Sequence, residues 1–315
     1  MINPINVYRR AKADGILFVA PKIAAVMRSV GWDWVPEGGG FVAADRLFAA
    51  VTLRPSGALR PLLGTSTKVE LSAEVGVRSP VVYLAAADMA GIPMCPWAGE
   101  CVGPCLKNHG RLIYTQNEMA QLAKTWFRHF FWDEYLSQLC TEIQKLVRRC
   151  RKEGSIPAVR LDGTSETGDG AILAHFFPEV VFYDYLKRPL KTALRMAGVG
   201  HVKELPPNLH WTFSIDEKHG TWDRAAEYLR AGMGAALVVR SDCGTNAGAQ
   251  AVARGVLAAG EINGWPVVDG DAHDARFLDA RGKVAVLYAK GHRAPKDESG
   301  FVKRVWFIDG HAHAA

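Results

Sequence analysis

No apolar run in this chain approaches the length of a bilayer span, so no membrane-crossing helix is expected. The opening residues, MINPINVYRRAKADG, lack the pattern of a signal peptide, and a cytoplasmic location is the expectation. Internal repeats are absent, which sets aside repeat architectures. Low-complexity tracts are absent too, and a folded chain is expected throughout most of its length. Neither sign of charge dominates: 38 Lys and Arg stand against 32 Asp and Glu, for a net charge of +6. That mild basicity suits contact with nucleic acid or another anion, and equally a solvated basic surface. With 315 residues, 49% of them hydrophobic, the chain can bury a sizeable core without staples.

Cysteine is scarce but clustered. Cys95, Cys101 and Cys105 fall in the stretch MCPWAGECVGPCLKNHGR, with His109 close behind, giving the spacing C-x5-C-x3-C-x3-H. In a reducing compartment, clustered cysteines point to metal or redox chemistry rather than to bridges. Cys140 and Cys150 fall on the apolar face of a helical pattern and read as small core residues. Cys243 sits in a loop without an evident partner.

Residues 1–80 read as a loop-rich N-terminal extension. From residue 81 a rhythm begins. VVYLAA (Val81–Ala86) is a short apolar run of strand length, followed by the cysteine loop at 95–109 and a long helical pattern. That pattern slips phase near Asp133, which could cap a second helix. Strands and helices then alternate: AVRLDGTSE, VVFYDYLKR, PLKTALRMAG, LHWTFSID, TWDRAAEYLRAG, AALVVRSD, PVVDGDAHD, VAVLYAKG. Alternation of this kind means βα units and a mainly parallel sheet. The expected fold is α/β, a partial or irregular (βα) barrel over 81–315. Each strand ends in polar residues, where α/β folds bind ligands.

Three readings of the cysteine cluster compete. Zinc is one: Cys95, Cys101, Cys105 and His109 make a Cys3His set, and the C-x3-H ending resembles CCCH zinc fingers, which bind RNA. A second is that the cysteines bind nothing. The third is a [4Fe–4S] cluster on Cys95, Cys101 and Cys105 with one iron left open. The loop, following one strand and preceding a long helix, resembles that of radical S-adenosylmethionine (SAM) enzymes. In those enzymes SAM binds the open iron and is cleaved to a radical that abstracts hydrogen. The resemblance implies a glycine-rich turn after the next strand holding the SAM amino group. Asp162, Gly163, Thr164, Ser165 and Glu166 stand there, with Ser214 as a further contact. It also implies an electron donor as partner. The spacing departs from the common C-x3-C-x2-C, and no GGE follows.

Asp269, Asp271, His273 and Asp274 could bind Mg²⁺ or Mn²⁺ as in a metal-dependent nuclease, could hold ribose hydroxyls, or could form an acidic turn. Lys290, beside glycine, suits a phosphate or the SAM carboxylate. The function expectation is therefore a radical SAM-like enzyme acting on a nucleotide, nucleic acid or peptide. The alternatives are a zinc-stabilised nucleic-acid-binding protein and the nuclease.

STKVE, MCPWAGECVGPCL, VRLDGTSE, FYDYLKRP, TFS, VVDGDAHDARFLD and AKGHRAPKDESGFV, in that order, resemble the phage "gene product 88" family. The resemblance runs from Ser66 to Val302. It implies a phage or prophage origin and expression in a bacterial host cytoplasm, and it implies no particular activity.

Overall fold

The computed structural model describes residues 13–54, 56–198 and 205–315. The chain starts with β1 (Ile16–Val19), α1 (Pro21–Ser29), β2 (Gly40–Ala43), which pairs antiparallel with β1, and α2 (Ala44–Thr52). Next come β3 (Leu63–Gly64), α3 (Thr67–Glu74), β4 (Val77–Arg78) and β5 (Val81–Val82). The hydroxyl of Ser66 caps α3 by accepting from the Val69 N–H. The cysteine loop follows, held in three short 3-10 turns: Glu100–Val102, Leu106–Asn108 and Gly110–Ile113.

The long helical pattern divides into α4 (Thr115–Phe130) and α5 (Trp132–Glu153), with the break at Phe131. Asp133 lies in the first turn of α5 rather than at its cap, where its charge complements the helix dipole. Gly154, left-handed at φ 68°, ends α5. Then come β6 (Ile156–Val159), α6 (Asp169–Leu173), β7 (Val181–Leu186), α7 (Leu190–Met196), β8 (Leu209–Ser214), α8 (Thr221–Arg230), β9 (Gly234–Arg240) and α9 (Asn246–Ala259). The chain closes with β10 (Glu261–Ile262), β11 (Trp265–Asp269), β12 (Val284–Tyr288), β13 (Lys303–Ile308) and β14 (His311–Ala314).

The result is a mixed α/β protein built on one large, mostly parallel sheet of ten strands. Its main run, β4-β6-β7-β8-β9-β12-β11, is parallel throughout. β10 turns back antiparallel on β11 and lies parallel to β14, which pairs antiparallel with β13. β13 in turn joins the end of β9, at Val239 and Arg240. The strand expected at Val81–Ala86 is shorter than its apolar run. β5 pairs with β3 and touches the main sheet through one bridge, Val81 to Arg160. It nevertheless runs beside the continuation of β6, because the Val82 N–H donates to the Arg160 carbonyl and the Gly163 N–H to the Val82 carbonyl.

Leu17, Met27 and Leu47 of the first 80 residues share one apolar cluster with Trp126, Phe127 and Tyr135 of α4 and α5 and with Phe182 and Phe213 of the sheet. Burial of such side chains contributes roughly 1.5–3 kcal/mol each. Cys150 is buried among helix residues, as its place in the pattern implied. No helix among the described residues is long and apolar enough to cross a membrane.

The entry to β8 hangs on one amide. Asn208 is buried, and its Nδ2 donates toward the carbonyls of Ala174, Phe177 and Val180 at 3.1, 2.9 and 2.9 Å. Asn208→Ala is expected to lower stability by about 2–3 kcal/mol, since the carbonyls lose their donor inside the protein. Asn208→Asp is expected to lower it more, because a carboxylate would face those carbonyls. Urea unfolding of the two variants checks both the loss and its order.

Candidate functional site

Parallel strands open their C-terminal ends on one side, and a cavity of about 380 Å³ lies there. Arg160 and the turn Asp162–Glu166 reach it from the end of β6, Tyr185 and Lys187 from β7, Ser214 from β8, and Leu287, Tyr288 and Lys290 from β12. Asp271 and Asp274 come from the segment after β11, and Lys68 from α3. Cys95, Cys101, Cys105 and His109 complete the wall. Three separate stretches of expected site residues therefore meet at one place. Asp269 and His273 stay outside it.

The cysteine loop is fastened on both sides. Ala87, at φ 50°, holds a left-handed conformation that a non-glycine residue seldom takes, and its N–H donates to Cys95 Sγ at 3.3 Å. Cys95 Sγ in turn lies 3.6 Å from the Thr164 carbonyl. On the far side, the Glu100 N–H donates to Glu217 Oε1 at 3.0 Å and Lys218 Nζ donates to the Trp97 carbonyl at 3.0 Å. Gly99 is required for this docking: a Cβ there would sit 2.0 Å from Glu217 Oε1. His109 is held within its own loop and against Gly291. Its Nε2 lies 3.0 Å from the Pro104 carbonyl, and its Nδ1 packs against Gly291, where a Cβ would come within 2.1 Å of it.

The turn after β6 is built around a carboxylate. Asp162 Oδ1 accepts from the Ser165 hydroxyl at 2.6 Å and from the Thr167 N–H and hydroxyl at 2.8 Å each. Its Oδ2 accepts from the Gly168 N–H at 2.9 Å. The Asp162 side chain therefore shapes the turn. Asp184 supports it from β7, accepting from the Asp162 N–H at 2.9 Å, and burial together with the Asp162 charge pushes Asp184 well above the usual carboxylate range. Glu166 Oε1 takes the Arg188 Nε at 2.8 Å. Gly163 has no room for a side chain, since a Cβ would meet Val81 Cγ1 at 2.6 Å.

Burial pushes the Cys95 thiol up to about 11, against the pull of the Ala87 N–H and Lys187, and burial raises Cys105 as well. Lys187 stands among the three sulfurs. Burial works to lower its ammonium, yet Cys101, Glu166, Cys95 and Cys105 together hold it raised. Among the described residues no group of three or more His, Cys, Asp or Glu side chains is gathered closely enough to hold a metal ion. The thiols share a cavity wall without forming a single-ion cage.

The acidic segment is occupied by cations. Asp271 Oδ1 accepts from Lys290 Nζ at 2.7 Å, and Asp274 Oδ2 from Arg160 Nη1 at 3.2 Å. Asp269 Oδ1 accepts from the Asp271 N–H at 2.8 Å, and His273 Nδ1 lies 3.1 Å from Arg276 Nη2. Burial would raise Asp274, but Arg160 and Lys68 outweigh it and hold the carboxyl low. Asp271 and Asp274 are thus ion-paired, while Asp269 is engaged by a backbone N–H. Lys68, Arg160 and Lys187 were absent from the sequence-based site. The polar end of FYDYLKR carried a signal for Lys187. Lys68 had none, because a helix turn in the N-terminal segment gives no hint of facing a distant sheet.

Burial pulls Lys68 down to about 8, while Asp274 and Asp271 act to raise it. Its folded value lies below the unfolded 10.5. Between these two values the unfolded chain binds more protons, so stability rises with pH there. The penalty from Lys68 is thus fully present below pH 8 and relieved toward pH 10.5. Lys68→Met is expected to be more stable than wild type at neutral pH, with the gap closing across that window. Urea unfolding of both chains at several pH values checks it. Lys124, also pulled to about 8 by burial, is common to both and cancels.

No curated protein and no solved structure matches the chain. The model of one family, described as Gene product 88, matches residues 61–305, which take in α3, the cysteine loop, the strands of the main parallel run and the cavity lysines Lys68, Lys187 and Lys290. The chain belongs to the gene product 88 family, a family of phage gene products.

Proposed function

We propose that this is an iron–sulfur enzyme of the radical SAM type, with a [4Fe–4S] cluster on Cys95, Cys101 and Cys105 and SAM in the adjoining cavity. The observation that carries the reading is the meeting of three cysteines and one lysine with the ends of parallel strands in a single cavity. In this reading the parallel run is an open, partial (βα) barrel with the cysteine loop across its ligand-binding end.

The donor set fits the group. A zinc site draws all its ligands around one ion at about 2.0–2.3 Å, so its thiols must crowd together. A cubane takes each cysteine on a different iron and tolerates thiols spread along a wall. The absence of a single-ion cage among the described residues and the engagement of His109 Nε2 with the Pro104 carbonyl favour the cluster over Cys3His zinc. The Ala87 N–H on Cys95 Sγ stabilises thiolate character, and the Lys187 ammonium offsets negative charge on the sulfurs.

When bound and reduced, such a cluster supplies one-electron cleavage of SAM and a hydrogen-abstracting radical. The chain's own residues bind and orient. The turn set by Asp162 places backbone groups of Gly163 to Ser165 along the cavity, and Glu166, steadied by Arg188, receives an amino group. Ser214 contributes a hydroxyl at the end of β8. The buried walls keep water from a radical. An external electron donor is a required partner, and a polar substrate such as a nucleotide fits the charged remainder of the cavity.

Anaerobic purification with iron, sulfide and zinc analysis tests the reading. About four iron and four sulfide per chain are expected, with loss of the brown chromophore in Cys95→Ala, Cys101→Ala and Cys105→Ala. The reduced protein is expected to convert SAM to 5′-deoxyadenosine. A colourless protein with stoichiometric zinc and no sulfide overturns the proposal.

A further inference from the structure

The wall away from the cysteines holds more cations than its carboxylates can satisfy. Arg160 bonds Asp274 at 3.2 Å, Lys290 bonds Asp271 at 2.7 Å, and Arg276 pairs with Asp279 at 3.0 Å. Each of those carboxylates is matched by a cation in contact. Lys68 shares two of these aspartates only at longer range. Its Nζ lies 3.9 Å from Asp271 and 3.9 Å from Asp274, outside hydrogen-bond reach of either. The half-buried side chain lines the cavity. An ammonium held partly out of water with no acceptor in hydrogen-bond reach favours a ligand oxygen that supplies one.

Lys68 and Lys187 face different neighbours. Asp274, Asp271, Arg276 and Lys290 are the charges that act most on Lys68, whereas the three cysteines and Glu166 act most on Lys187. Beside it, Lys290 Nζ sits 4.3 Å over the Tyr288 ring with part of its side chain open, and Tyr185 and Phe301 add flat apolar walls.

We propose that Lys68, with Lys290 beside it, forms a subsite for an anionic oxygen group, a phosphate or a carboxylate, of a small-molecule substrate. The subsite deepens the radical SAM reading and rests on it for the reaction, but binding of the anion needs no cluster. Asp271 and Asp274 keep the site selective. They repel a ligand whose negative charge is spread widely and admit one compact group at the lysine.

The test uses the full chain without its cluster, titrated calorimetrically with inorganic phosphate and, separately, with acetate at fixed ionic strength in chloride. At least one probe is expected to bind, with affinity reduced tenfold or more in Lys68→Met and kept within a few-fold in Lys68→Arg. Lys152→Met, at an exposed position at the end of α5, is expected to bind as wild type does. Phosphate binding alone assigns a phosphate ester, and acetate binding alone a carboxylate. Cys95→Ala is expected to retain anion binding, so failure of the cluster reading and failure of the subsite are told apart. Binding of neither probe by wild type overturns the proposal, as does equal binding by Lys68→Met. Lys68→Met is expected to melt at or above the wild-type temperature without probe. If it unfolds instead while the folded Lys68→Arg binds tenfold or more weakly than wild type, Lys68 is a structural partner of the aspartates and the proposal fails.

Discussion

The site depends on a directional constraint: the strands of the main run all point the same way. Parallel pairing from β4 through β11 puts every strand's C-terminal end at one edge of the sheet. Backbone groups at those ends have no further ladder partner, and side chains there are free to be polar. The cavity forms where the sequence can carry charge without breaking the sheet. Antiparallel pairing would have divided the same residues between two edges, and the cysteines would have met only some of them. The reversals among β10, β11, β13 and β14 occur late in the chain and leave this edge intact.

Rigidity at that edge comes from carboxylates facing inward rather than toward a ligand. Asp162 satisfies four donors of its own turn, and Asp184 holds the backbone at which that turn begins. Removing either would free the turn that carries Gly163 to Glu166. This division of labour matters for assigning roles. A buried aspartate at a strand end looks like a ligand-binding residue in the sequence, yet every acceptor site on Asp162 that is described has a local donor. Glu166 is intermediate, anchored through one oxygen and lining the cavity.

The strand–helix alternation from β6 to β12 was legible because each strand is a short apolar run closed by a polar turn, and burial on both faces enforces that pattern. The cysteine loop was legible because thiols are rare and spacing is informative. What escaped reading depended on three-dimensional placement. The helix α9, beginning NAGAQAVARG, is rich in alanine and glycine and has little amphipathic contrast, so its periodicity is weak. β5 is shorter than the run VVYLAA, since Leu84, Ala85 and Ala86 are buried as loop rather than paired as strand. Lys68 reaches the cavity from α3, before the regular strand–helix alternation begins, and only the packing of α3 against the sheet brings it there. In the acidic segment the spacing gave no sign that Asp274 and Asp271 pair with Arg160 and Lys290, both from other elements.

The two lysines also bear on what kind of occupant the cavity lacks. A fold that needed these charges for stability would place carboxylates in contact with them, as it does for Arg160, Arg188 and Lys290. Lys187 faces Glu166 and thiols, and burial favours the protonated forms of Cys95 and Cys105. In the proposed iron–sulfur reading, deprotonating the thiols on a metal would create negative charge beside this ammonium, so loading and the Lys187 charge would favour each other. Lys68 stands 3.9 Å from both Asp271 and Asp274, outside hydrogen-bond reach of either, so its donors stay open to an anion that must compete with two internal carboxylates for them.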